Sequence, residues 1–493
     1  MLFWGIMVLG FLLRIIVHLN GPLNFDEVCS WAFARKTPFM HMWQSAFSDP
    51  TPPLFYALVH GMIRLFGENP ALMRLPSLVF GILVLPLSYW IMGMGGFQKT
   101  ERQAAMLIVA VSSMLVFYSQ ELRAYSMLAC CGVLATGLLF ACSEHPTTKN
   151  YLLYALSLML LSQAHRYGLL LIPAHFCFTV LLKRWRLCGI VCVTSFLILV
   201  TIVLQMVSGN FYYSEAPDRI TTWRGLGALI NLLNVGTILL PEFFGGQPCP
   251  DAPYPQRALN YALSLAGLVT FSTIFFKGFS RLHHFSAIQK RLIFLLAICT
   301  GIPIMLAALA GTRLMPKPQW LLRGLIFIWP FYYMLASAAC SQVHYKKRAL
   351  AVIVLLHCLT LYPYYSYFSR GVHSVALAKL SSTTSGQDLI VAYPWYFYEV
   401  VAYYYRGKAR TAAYSEEIGW VDTDALRAGT TPFFNRSLPT AAPPAVSGDV
   451  YFFPVVKDDG SIEPFKNNRI FVYDEHLETE WRLVQPSNVH PSG

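Results

Sequence analysis

The chain has 493 residues, of which 55% are hydrophobic, 15% aromatic and only 13% charged. Soluble globular domains carry about 25% charged residues, so this balance, with a mean hydropathy of +0.48, excludes a soluble globule and indicates a membrane protein. The net charge of +12 would suit nucleic acid in a soluble chain, but here the basic residues cluster in short loops between apolar runs and report membrane orientation instead.

Apolar runs of about 17–25 residues, enough to cross a bilayer as helices, recur through the first three quarters of the chain. Spans are predicted near 2–19, 75–95, 104–119, 125–142, 151–163, 168–183, 188–207, 258–276, 292–310, 320–340 and 349–365, eleven in all. The first, Leu2 to Leu19, contains Arg14 and lacks a following small-x-small site, so it reads as an uncleaved span. Segment 226–244, LGALINLLNVGTILLPEFF, is broken by Asn and Gly and suits a re-entrant or interfacial helix as well as a span.

The loops between spans fall into two alternating sets. One set, 96–103, 143–150, 183–187, 277–291 and 342–348, holds about 13 Lys and Arg in roughly 44 residues. The positive-inside rule makes that set cytoplasmic, with the N-terminus. Loop 20–74, region 208–257 and the C-terminal segment are then outside. From about residue 370 the chain has no spanning run. Stretch 388–393 reads as a strand, 395–406 as an amphipathic helix, and GDVYFFPV and NRIFVYDE as further strands. The predicted fold is a polytopic α-helical domain over 1–369 and a small extracytoplasmic α/β domain over 370–493. No internal repeat is visible.

The eleven cysteines form no CxxC pair and no zinc-like spacing. Most, such as Cys130, Cys131, Cys192 and Cys299, lie in apolar runs as small hydrophobes. Cys29 and Cys249 lie in polar connections, and a disulfide between them is open if those face an oxidising compartment.

Candidate chemistry gathers on the outer face. Loop 20–74 is long for a connection, and long ordered loops tend to carry function. It holds Asp26-Glu27, Asp49, Thr51 and the segment 54–66, too short to span and suited to the interface, with Tyr56, His60 and Arg64. By spacing alone the acidic pair reads first as a helix cap with solvated acids. The next outward turn, VFYSQELRAYS, brings Tyr118, Glu121, Arg123 and Tyr125, which alone would read as an interfacial aromatic belt with an ion pair. Arg74, Arg166, Arg313, Lys317 and Arg323 also lie near the outer boundary. Single arginines there snorkel to headgroups, while a cluster beside carboxylates suits a phosphate-bearing lipid.

These features occur in an order that resembles the membrane glycosyltransferases of the GT-C fold, in the bacterial branch related to protein O-mannosyltransferases and lipid A aminoarabinose transferases. An acidic pair follows the first span (Asp26-Glu27), then a PPLYY-like helix (Pro52-Pro53-Leu54-Phe55-Tyr56). RLPS-x-x-FG follows at 74–81, and YSQE-x-R-x-Y at 118–125. The resemblance is good over about 20–130 and looser beyond. It implies transfer of a sugar from a polyprenyl-phosphate donor to a lipid, glycan or protein acceptor, on the outer face of a cytoplasmic membrane and with inversion. It makes Asp26 the general base, Glu27 its positioning partner and Glu121 a second acid that binds sugar, acceptor or metal. Arg64, Arg74, Arg123, Arg313, Lys317 and Arg323 become candidates for the departing phosphate. Aromatic groups of the outer loops shape the sugar pocket. Relatives carry His or Lys before the Pro-Pro pair where this chain has Thr51, so Asp49 with another basic residue reorganises that corner or the donor differs. A divalent metal is compatible with the resemblance, and no ligand is assigned. Two other classes fit the composition: a lipid or solute transporter or flippase, and a noncatalytic sensor that binds through its outer domain.

Overall fold

The computed structural model describes residues 1–16, 21–49, 51–208, 254–311, 324–367, 372–393, 397–415, 419–423, 441–454, 468–474 and 480–484. Among them the chain is a mostly helical membrane protein with a small β-containing C-terminal domain. The membrane part comprises α1 (Leu2–Ile15), then α2 (Phe25–Ala34), α3 (Phe39–Ser45), α4 (Pro53–Phe66) and α5 (Pro70–Met73) in the long loop that follows it. Next come α6 (Leu75–Met94), α7 (Lys99–Val111), α8 (Ser113–Ser119), α9 (Tyr125–Glu144), α10 (Thr148–Ala164), α11 (Leu171–Leu181) and α12 (Trp185–Ser208). The set ends with α13 (Tyr254–Phe279), α14 (Ala287–Gly311), α15 (Ile328–Gln342) and α16 (Lys346–Tyr367).

A helix lies at each predicted span. By length and composition four of them, within α6, α9, α12 and α14, can cross a bilayer, and the pair α7–α8 makes a fifth if its two pieces are one span. Segment 226–244, Cys249, Arg313, Lys317 and Arg323 lie outside the described residues.

The α7–α8 pair bends by 60° at Ser112, and the buried arginine of the first span explains how the break is tolerated. Arg14 is fully buried, and its Nη1 donates to the carbonyls of Gly10 (2.9 Å) and Ala110 (3.0 Å). Its Nη2 reaches Val109 O at 3.4 Å. Carbonyls at the end of α7 have no ladder partner beyond the break, and a cation is favoured at that negative end of the helix dipole. On the other side Ser112 caps α8, its Oγ accepting from Leu115 N. The break thereby turns α8 and the following turn toward the outer loop.

The C-terminal part begins with α17 (Val372–Thr383), followed by β1 (Leu389–Tyr393), α18 (Tyr398–Tyr404), β2 (Arg410–Ser415), β3 (Gly419–Val421), β4 (Val450–Pro454), β5 (Ile470–Asp474) and β6 (Glu480–Val484). The sheet order is β3-β2-β1-β4-β5-β6. The four inner strands are parallel and both edge strands are antiparallel to their neighbours. Parallel strands covered on both faces read as continuous apolar runs, and β1 is one: LIVAY is buried at every position. Ile390 and Ala392 join the core shared with α18 and the membrane helices, while Leu389, Val391 and Tyr393 pack with Val450, Phe452 and Trp420 on the other face. The sheet therefore sits on α18, and α18 sits on α2.

Candidate active site at the start of α2

Asn24 caps α2. Its Oδ1 accepts from Glu27 N and the Glu27 Oε2 accepts from Asn24 N, both at 2.9 Å, a reciprocal capping box. The Asn24 Nδ2 then donates to Glu121 Oε1 at 3.0 Å, which ties the start of α2 to the turn after α8. Glu27 makes the second tie. Its Oε1 accepts from Leu122 N (2.8 Å) and from Arg74 Nε (2.7 Å), and its Oε2 from Arg74 Nη2 (2.8 Å). Both side chains of this ion pair are 0% exposed. Arg74 also donates from Nη1 to Gly21 O (2.7 Å) and from Nη2 to Pro22 O (2.9 Å). Glu27 and Arg74 thus saturate each other and the entry loop.

The RLPS-x-x-FG stretch has a physical reading in this setting. Arg74 holds Glu27, Ser77 Oγ donates to Arg123 O at 3.1 Å, and a Cβ on Gly81 would collide with the Ser119 side chain. One turn of α6 therefore supports both α2 and the YSQELR turn.

Asp26, adjacent to Glu27 in sequence, is only half buried. The group facing its side of α2 is Arg123, whose Nη1 reaches Asp26 O and Ser30 Oγ, each at 3.4 Å. The other Arg123 donors take no hydrogen-bond partner among the described residues, and the guanidinium lies 5.8 Å from the Tyr125 ring. Burial works against its charge, but Tyr125, Asp26, Tyr56 and Asp49 together hold its pKa well above the ordinary arginine value. Two acids and two phenols from three segments thus converge on one guanidinium.

Asp49 is buried, and its Oδ1 accepts from Thr51 N and from the Tyr56 hydroxyl, both at 2.7 Å. Tyr56 stacks on Phe33 at 5.1 Å. Thr51 is buried in the same turn. The basic group at this corner is Arg166, whose Nη2 donates to Phe47 O at 3.3 Å; burial lowers its pKa while the Asp49 charge raises it. His60 donates from Nδ1 to Ala34 O at 2.7 Å, so it fastens the end of α2 to α4. Arg64, one turn further along α4, is exposed and apart from this cluster. Tyr118 is buried edge-on to Tyr125 at 4.8 Å.

Sequence reasoning passed over several neighbours. His165 lies between the rings of Tyr125 (5.7 Å) and Tyr167 (5.1 Å). Burial, then the charges of Arg123 and Arg166, push its imidazole down to about 3, so it is neutral at pH 7. Its Nδ1 accepts from Tyr167 N at 3.2 Å, which leaves the ring proton on Nε2. Asn24, Ser30 and Arg166 complete the set. Arg166 gave a sequence signal as a basic residue near a span end, and Asn24 one as the start of an Asn-x-x-Glu capping pattern. Cys29 sits among these groups, and burial, then the Asp26 charge, keep its thiol protonated. A cavity of about 630 Å³, walled by Arg35, Val401, Tyr405 and Arg410, opens at the far end of α2. It is roughly 14 Å along the helix from Asp26, so the Asp26 chemistry does not belong to it.

Among the described residues no group of three or more His, Cys, Asp and Glu side chains could hold a metal ion. Glu121 and Asp49 are instead engaged by Asn24, Thr51 and Tyr56. Among the described residues, then, these two acids do not form part of a metal-binding group.

No protein-family model matches the chain, and no curated protein matches it. Solved structures do. The crystal structure of ArnT from Cupriavidus metallidurans in the apo state aligns over 89% of this chain and 88% of its own, at 14% identity and a TM-score of 0.41. The crystal structure of ArnT from the same organism bound to undecaprenyl phosphate aligns over 87% of each chain, at 15% identity and a TM-score of 0.41.

Proposed function

We propose that this chain is a GT-C-type glycosyltransferase that moves a sugar from a polyprenyl-phosphate donor to an acceptor hydroxyl or similar nucleophile on the outer face of a cytoplasmic membrane. The observation that carries the reading is the placement of Asp26, half buried on the first turn of α2, beside Arg123, a guanidinium whose charge Tyr125, Asp26, Tyr56 and Asp49 together favour. The four motifs of the resemblance supply Asp26, Tyr56, Arg123 and Tyr125, while Asp49, His165 and Arg166 lie outside them. In the reading, all eleven helices cross the membrane, the N-terminus is cytoplasmic, and residues 370–493 form an outer domain. The α4 helix lies in the interface.

The chemistry then divides among named groups. The acceptor oxygen attacks the anomeric carbon while the bond from that carbon to the carrier phosphate oxygen breaks. The acceptor proton passes to the Asp26 carboxylate, and the electron pair of the broken bond leaves on the lipid phosphate. Arg123 and Arg166 offset the charge that grows on that phosphate. Glu121 and Asp49 orient hydroxyls of the sugar or acceptor, and Tyr125 with His165 forms a flat wall on which a sugar ring packs. Glu27 and Arg74 serve the site by fixing α2.

The decisive experiment is Asp26→Asn, with membrane insertion and yield matched to wild type. Transfer from polyprenyl-phosphate-linked sugars should fall by about 10²–10⁴-fold. Turnover at a near wild-type rate would remove Asp26 from the base role.

A further inference from the structure

The chain enters α2 through Gly21, Pro22 and Leu23, whose carbonyls precede the helical ladder. The first ladder bond runs from Val28 N to Asn24 O at 2.9 Å, so these three need other donors. Arg74 serves Gly21 and Pro22 from within the membrane domain. Leu23 is served from 381 residues away, by the hydroxyl of Tyr404 on α18, at 2.7 Å. Three aromatic and ionic contacts place α18 against the same helix. Phe397 meets Phe25 with ring centroids 4.7 Å apart, Tyr403 meets Trp31 edge-on at 4.7 Å, and Glu399 pairs with Arg35 at 3.3 Å.

We propose that the C-terminal domain is a working part of the outer-face site, with Tyr404 as its positioning residue. By holding the Leu23 carbonyl, Tyr404 fixes the peptide that leads into the Asn24 cap, and so the direction in which the first turn of α2 presents Asp26. This inference rests on the reading of Asp26 as the base. It gives the outer domain a role that binding by that domain alone would not require. Tyr404→Phe keeps the ring in place against Tyr403, 4.7 Å away, and removes only the hydroxyl.

The test uses the full-length protein in lipid nanodiscs. Tyr404→Phe should speed amide hydrogen exchange in the peptide 21–31 and leave β1 and β2 unchanged. Glu399→Gln, which loosens the same two helices at the other end of α2, should leave amides 24–28 at the wild-type rate. With a polyprenyl-phosphate-linked sugar as donor, Tyr404→Phe should lower kcat roughly ten- to hundredfold, because small misplacements of a reacting group have effects of that size. The KM for donor should stay within about twofold, as expected when binding groups are untouched. Unchanged exchange in 21–31, or a rise confined to 389–415, overturns the proposal, as does an equal response to Glu399→Gln. If exchange rises while Asp26→Asn still turns over, the base assignment falls and the contact stands. If Asp26→Asn is dead and exchange is unchanged, the positioning role alone falls.

Discussion

Two carboxylate–guanidinium corners flank the start of α2, and they are built to opposite specifications. At the Glu27–Arg74 corner every contact is between 2.7 and 2.9 Å, and neither side chain sees solvent. At the Asp26–Arg123 corner Arg123 Nη1 reaches the Asp26 backbone carbonyl and Ser30 Oγ, each at 3.4 Å, and the two side chains are half buried. A carboxylate that already accepts four hydrogen bonds has no lone pair left for an acceptor proton, which suits Glu27 to a scaffold role. Chemical similarity and adjacency in sequence therefore say little about role. Burial and the tightness of the guanidinium's contacts separate the scaffold corner from the candidate machinery.

The strongest way to break this contrast is Arg74→Ala. It would leave Glu27 as a buried charge with two of its donors gone, and breaking such a pair costs about 3–5 kcal/mol. The expected outcome is a lower yield of folded protein and a large fall in thermal stability, with activity lost in proportion to the fold. Normal stability with a selective loss of donor use would instead make Arg74 a substrate ligand and erase the distinction between the corners.

Much of the scaffold corner was legible. Asn24-x-x-Glu27 before an apolar run is a capping-box pattern; the bland reading of a cap with solvated acids matches Glu27 in its capping part, while its side chain is fully buried against Arg74 and not solvated. The sequence could not tell Asp26 from Glu27, because neighbours on a helix point about 100° apart and which direction is the dry one depends on α6, some fifty residues later. The Thr51 corner shows the same limit. Its basic partner, Arg166, arrives from the end of α10, and only the return of the chain to the side where α2 lies brings it to Asp49. In the outer domain the buried strand β1 and the strands β4 and β5 were readable from their apolar runs. The shorter β3 and the mixed pattern of β2, RTAAYS, were not, since pairing rather than composition makes them strands.

A second variant tests the open corner. Arg123→Ala should cost about 1–3 kcal/mol, less than Arg74→Ala, since it removes two long hydrogen bonds and not a fully buried bidentate ion pair. Transfer should fall by about 10²-fold, the scale for losing one donor that meets charge in the transition state. Donor KM and kcat should carry the loss, with acceptor KM little changed. Equal effects on donor and acceptor would argue that Arg123 organises the pocket as a whole and does not meet the phosphate.

The smallest expected effect lies at the other end of α2, where the contrast can be sharpened by pH. Lys36 lies near the Phe33 ring, 5.3 Å from its centroid, beside Arg35 and Glu399. Burial lowers its pKa from 10.5 to about 8, with Glu399 opposing and Arg35 adding to the shift. The unfolded chain therefore binds more protons than the folded one between about pH 8 and 10.5. The Lys36 contribution accordingly makes stability rise with pH across that window, and its penalty is fully present below about pH 8. Lys36→Met should raise the Tm at pH 7 by a few degrees or less and flatten the rise above pH 8. Glu399, whose own pKa burial raises, loses one of two cations in this variant but keeps Arg35 at 3.3 Å. A lower Tm at pH 7 would mean that Lys36 is needed to neutralise Glu399. The far end of α2 would then be a saturated corner like that of Glu27, and the open character of Asp26 and Arg123 would stand alone on this helix.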